Sequence, residues 1–122
     1  MILADTSIWV DHLRGYSAAL AEQLDQTGVL MHPFVLGELA CGNIRNRTEE
    51  LKLLGNLPRS PVALNDEVLV FIEERELMGS GVGYIDVHLL AAVTLHGTAR
   101  LWTRDRRLHK LADEMELAYS SS

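Results

Sequence analysis

The opening Met1-Ile2-Leu3-Ala4-Asp5-Thr6-Ser7 constrains this chain more than any other stretch. Ile2, Leu3 and Ala4 form a short, near-continuous apolar run, the pattern of a strand buried on both faces as in parallel sheets. The run delivers Asp5 to its carboxyl end, and Thr6 or Ser7 can cap a helix that begins at Ile8. Open α/β sheets bind ligands beyond the carboxyl ends of their strands. Asp5 therefore has two readings: a helix cap, or one wall of an acidic pocket that other carboxylates join.

The rest of the chain alternates short apolar runs with helical periods. Helices are expected over 7–14 and 17–27, split at Gly15, with Gly28 closing the second. Val29-Leu30-Met31 reads as a strand, and Pro33 opens a helix to about residue 43. Thr48 is placed to cap a fourth helix. Two prolines within 56–61 stop it, Val62-Ala63-Leu64 is a brief extended piece, and Asn65 caps a helix through Leu77. Gly79-Ser80-Gly81-Val82-Gly83 resembles a phosphate loop, but Tyr84 stands where a dinucleotide fingerprint needs glycine and no Gly-Lys-Ser/Thr ending follows. It reads as a flexible loop into the most apolar helix, from Tyr84. Arg100 to Thr103 is a further strand, and Thr103-Arg104-Asp105 repeats the arrangement of the opening before a last helix. Leu117-Ala118-Tyr119 adds a final short strand ahead of a loose serine tail. Strands alternating with helices imply an α/β fold with a mainly parallel sheet and right-handed crossovers.

With 122 residues, the chain is read as one domain able to bury a full core. It has no apolar run long enough to span a bilayer and no basic leader, so a cytoplasmic location is expected. Its single cysteine, Cys41, excludes an internal disulfide and a cysteine zinc site, and is read as a small buried side chain. A formal net charge of −6 argues against a polyanionic partner until its distribution is considered. Arg100, Arg104, Arg106, Arg107 and Lys110 cluster near the C-terminal end, where they can face a polyanion. Asp66, Glu67, Glu73, Glu74 and Glu76 form an acidic stretch, read as a solvated face.

Four acids stand apart from the solvated ones. Asp5 and Asp105 lie just past strand ends, whereas Glu38 and Asp86 lie on apolar helix faces, where an unpartnered charge is costly. Glu38 either reaches solvent at the edge of its stripe or is held by something positive. Grouped carboxylates repel one another and are kept for a cation. Oxygen donors without Cys or an evident His point to Mg²⁺ or Mn²⁺, and the natural chemistry is metal-assisted phosphodiester hydrolysis. Thr6, Ser7 and Thr103 can orient those carboxylates, and Arg104, Arg106, Arg107 and Lys110 can bind a nucleic-acid backbone. His88, two residues after Asp86, points elsewhere and is read as structural.

These stretches, Ile2 to Trp9, the Glu38 helix, Gly83 to Ala92 and Leu101 to Asp105, resemble the PIN-domain nucleases, and within them the VapC toxins of toxin–antitoxin pairs. The likeness runs to about Leu117. The family's acids map onto Asp5, Glu38, Asp86 and Asp105, and its supporting hydroxyl onto Thr103. Val87 replaces the alanine that commonly follows the third acid. The resemblance implies a three-layer α/β/α fold with a small, mainly parallel sheet of four to five strands. It implies an Mg²⁺- or Mn²⁺-dependent endoribonuclease acting on tRNA, rRNA or mRNA, a homodimer, and a VapB-type antitoxin that places a basic side chain in the acidic pocket. Three rivals stand beside it. A receiver-like phosphoacceptor domain would want a lysine after the last strands, whereas Lys52 and Lys110 both fall in helical stretches. The others are a PIN-like binding module without activity and a PIN nuclease of DNA flaps or pre-rRNA.

Overall fold

The computed structural model describes residues 1–26 and 28–120. Thr27, which would close the second expected helix, and Ser121 and Ser122 of the expected tail lie outside the described residues. The order of elements is β1 (Ile2–Ala4), α1 (Thr6–Arg14), α2 (Ala18–Gln26), β2 (Val29–Leu30), α3 (Pro33–Ala40), α4 (Arg47–Gly55), α5 (Asn65–Arg75), α6 (Tyr84–His96), β3 (Arg100–Trp102) and α7 (Arg106–Glu114).

The three strands are parallel in the order β2-β1-β3, with Leu3 opposite both Leu30 and Leu101. The first strand is thus the central one, and every residue in it is buried. That explains its unbroken apolar run: a strand covered on both faces has no polar side to alternate with. Truncating Leu3 or Leu101, both fully buried, would cost about 2–5 kcal/mol.

The sheet has three strands where four to five were expected. Of the two remaining expected segments, Leu117 to Tyr119 is present as a single parallel bridge, Leu101 to Ala118, while the other edge carries a single bridge from Met31 to Arg59, in the proline stretch read as a stop. On that other edge, Met31 bonds the Pro58 carbonyl and the Ser60 amide, and Pro58 and Pro61 flank the pairing. Proline has no amide hydrogen, so the ladder cannot lengthen there. Val62 and Leu64, expected as an extended piece, lie exposed outside the sheet.

The helices pack apolar faces onto this sheet. Leu89, Leu90, Ala92 and Val93 of α6 enter the main core, while Val87 and Ala91 of the same helix close a smaller core with Ala63, Val68 and Leu77. A helix buried on both sides explains why this stretch is apolar almost all round.

Several local expectations are corrected. Asp5, not Thr6 or Ser7, caps α1. Asn46, in the left-handed region at φ 53°, precedes α4 in place of a Thr48 cap. Helix α5 starts at Asn65, but the cap position is Leu64, whose amide bonds Glu67 Oε1 at 2.8 Å. Helix α3 ends at Ala40 rather than 43, which leaves Cys41 exposed at its C-cap instead of buried. Gly28 does terminate α2, bonding the Gln23 carbonyl at φ +84°. Among the described residues, no helix is long and apolar enough to cross a membrane.

Candidate active site

Asp5 leaves the sheet with its backbone still bound, its amide donating to the Trp102 carbonyl at 3.0 Å. Only 5% of it is exposed. Its Oδ1 accepts the Ile8 amide at 3.3 Å, the helix cap, and the Ser7 hydroxyl at 2.5 Å. Its Oδ2 accepts the Thr103 hydroxyl. Asp5 is therefore a cap and a pocket wall at once. Burial raises its pKa above the ordinary 3.8, against the pull of the Ser7 and Thr103 hydroxyls and the backbone amides.

Two hydroxyls join the turns after β1 and β3. Ser7 donates to Asp5 and accepts the Arg104 amide at 3.1 Å. Thr103 donates to Asp5 and accepts the Asp105 amide at 3.0 Å. Asp105 in turn caps α7 through Oδ1, which accepts the Leu108 amide at 2.9 Å, and it stays exposed. Parallel pairing of β1 with β3 brings these two caps side by side.

Helix α3 packs on α1 and carries Glu38 to the same edge. Its carboxylate accepts the Thr6 hydroxyl at 2.6 Å. The alternatives left open for this acid resolve toward solvent: Glu38 is exposed and held by a neutral hydroxyl. Asp86 sits in the first turn of α6, half-buried. Its pKa is raised chiefly by burial, then by the charges of Asp5 and Asp105, with Glu38 adding to them and a backbone hydrogen bond at Gly83 opposing. The other three sequence-selected acids thus all act on Asp86.

They do not form a ready-made cage. Among the described residues, no group of three His, Cys, Asp or Glu side chains is arranged to hold a metal ion. The donor chemistry nevertheless suits Mg²⁺ or Mn²⁺, because such ions keep several waters and take only one or two carboxylates directly. The neighbouring negative charge that helps raise the pKa of Asp86 is what a bound cation would relieve. His88 is 1% exposed and packs against Phe34 and Tyr84, each with ring centroids 4.7 Å away, in keeping with its structural reading. Burial lowers the pKa of His88 and of its neighbour His32, the latter to about 4.

The basic cluster divides. Arg104 is paired with Asp11 of α1, and Arg100 donates to the carbonyls of Thr98 and Ala99. Arg106, Arg107 and Lys110 are exposed on α7. The Asp11 contact was missed in the sequence, because it depends on the juxtaposition of α1 with the turn after β3. A cavity of about 300 Å³ between α5 and α6 is lined by none of the four acids.

The PIN domain family matches residues 2–114. Ribonuclease VapC32, in two strains of Mycobacterium tuberculosis, is 48% identical over 118 residues, covering 97% of this chain and 95% of the relative. With its acids gathered beyond the ends of a parallel sheet and its match extending over nearly the whole length, the chain belongs to the PIN domain family.

Proposed function

We propose that this protein is a divalent-metal-dependent endoribonuclease toxin of the VapC type, which hydrolyses RNA phosphodiester bonds. The observation that carries the reading is the tying of the β1 and β3 turns through the Thr103 hydroxyl, which sets Asp5 beside Asp105, with Glu38 held at the same edge by Thr6. The name of its relative, a ribonuclease, supports the same chemistry.

In this reading Asp5, Glu38, Asp86 and Asp105 hold Mg²⁺ or Mn²⁺. When bound, that ion supplies Lewis-acid charge for transfer of the phosphoryl group to water. The chain's own contribution is orientation. Ser7 and Thr103 fix the Asp5 carboxylate through both oxygens, and Thr6 holds Glu38. Asp105 keeps one oxygen on its helix cap and the other available. Arg106, Arg107 and Lys110 bind the RNA backbone, and Arg104 joins them by exchanging Asp11 for a phosphate. We propose further that the protein works in the cytoplasm as a homodimer. A VapB-type antitoxin neutralises it by setting a basic side chain among the four acids.

Purified protein is expected to cleave RNA with Mg²⁺ or Mn²⁺, to stop in chelator, and to fail as Asp5→Asn or Asp86→Asn with the fold retained. Undiminished cleavage by both variants would refute the assignment. Mapping the RNA ends produced on expression would identify the target.

A further inference from the structure

The glycine-rich loop over 79–83 has no part in the chemistry above, yet it builds one side of a second polar pocket. A cavity of about 280 Å³ is lined by Ser80 from this loop and by Arg107, Lys110, Leu111 and Glu114 from α7. Arg107 lies directly over Gly81: a Cβ added there would come within 2.7 Å of its Nη1. Gly81 has φ +88°, a conformation that favours glycine, so the bare backbone forms a seat for the guanidinium.

Three donors at this cavity have no partner among the described residues. The Ser80 hydroxyl is buried without a hydrogen bond. Arg107 and Lys110 form no ion pair or hydrogen bond, although Arg104 nearby is paired with Asp11. A buried hydroxyl left unpaired is costly, and two adjacent unpaired cations favour an anion. Glu114, one turn beyond Lys110, offsets part of that charge and leaves a net positive pocket.

Its neighbours in the chain point to the class of anion. Arg107 lies in the first turn of α7, on a different face of the helix from Asp105, and the loop on which it rests runs directly into the turn that carries Asp86. We infer that this pocket is a subsite for a backbone phosphate of the RNA substrate flanking the one cleaved, with Ser80 donating a hydrogen bond and Arg107 and Lys110 supplying charge. The inference rests on the nuclease reading for its ligand, and it divides the basic residues of α7 into a seated pair and a free Arg106.

The test is binding of a labelled single-stranded RNA to the full chain in chelator, as a function of salt, with cleavage by the unmodified protein in Mg²⁺ or Mn²⁺ followed separately. Arg107→Gln and Lys110→Gln should each weaken binding about three- to ten-fold, equally across RNA sequences, and reduce the slope of log K against log salt by about 0.7. Ser80→Ala should weaken binding about two- to five-fold and leave the slope unchanged, since it removes a hydrogen bond and no charge. Arg59→Gln, a charge change on the opposite sheet edge, should alter neither. Folding of each variant is checked by its thermal midpoint. Unchanged slopes in both charge variants would overturn the subsite, and so would indifference to Ser80→Ala, which would mean an unstructured cationic face. Binding of inorganic phosphate that depends on these residues, without an effect on RNA, would also overturn it. Loss of cleavage by the unmodified protein would instead defeat the nuclease reading, with the binding results still deciding whether the pocket holds phosphate.

Discussion

The turns after β1 and β3 use the same parts, an acid that caps a helix and a hydroxyl beside it, yet they leave their acids in different states. Asp5 is buried, with both carboxylate oxygens bonded. Asp105 is exposed, with one oxygen given to the Leu108 amide. The cause is strand position. β1 is central and its turn is covered from both sides, whereas β3 has only the single Ala118 bridge beyond it. The two acids thus act as a fixed anchor and an adaptable arm, and substitutions should separate these roles.

The largest expected difference is catalytic. Asp5→Asn should reduce cleavage about 10²–10³-fold, and Asp105→Asn about 10–100-fold, both measured as kcat/KM. Equal losses would erase the distinction. Next comes the hydroxyl shared by both turns. Thr103→Val keeps the shape but strips Asp5 Oδ2 and the Asp105 amide of a partner, at about 1–3 kcal/mol of stability by denaturant unfolding. Ser7→Ala, at the more open position, should cost less. A larger loss at Ser7 would mean that the β1 turn, not the β3 turn, ties the pair together.

Stability against pH sharpens the contrast between anchored and crowded acids. Asp5 and Asp86 have raised native pKa values, so the stability they contribute is full below 3.8 and is lost as pH rises through those values. His32 and His88 act in the opposite sense: their contribution is full above 6.5 and is lost as pH falls, toward about 4 for His32. Asp86→Asn should therefore raise the thermal midpoint at neutral pH by about 2–4 °C in chelator, and Mg²⁺ should stabilise the parent protein more than this variant. A lower midpoint for Asp86→Asn would show that the acids are not crowded. The smallest effect concerns Arg104→Gln, which removes an exposed ion pair with Asp11 and should change stability by less than about 0.5 kcal/mol.

The acids and the sheet were legible because their signals are local. An apolar run ending in an acid marks both Asp5 and Asp105, and a charge on an apolar stripe marks Asp86 and Glu38. What escaped depended on neighbours distant in sequence. The cap reading of Asp5 was local, since its carboxylate reaches the Ile8 amide three residues on, but nothing near it showed that the same carboxylate also accepts the Thr103 hydroxyl from 98 positions away. Cys41 was read as buried because a free cysteine usually is, but the helix ends one residue before it and leaves it exposed. Pro58 and Pro61 were read as a stop, but the single bridge they allow at Arg59 appears only once Met31 is placed against it.

The bond from Thr103 to Asp5 spans 98 positions and joins the first strand to the third. Synthesis proceeds from the N-terminal end, so the nascent polypeptide emerges with its anchor acid long before the residues that orient it. For most of each round of synthesis the nascent polypeptide therefore holds Asp5 without its Thr103 partner, and the pocket is assembled only once the third strand has emerged and docked.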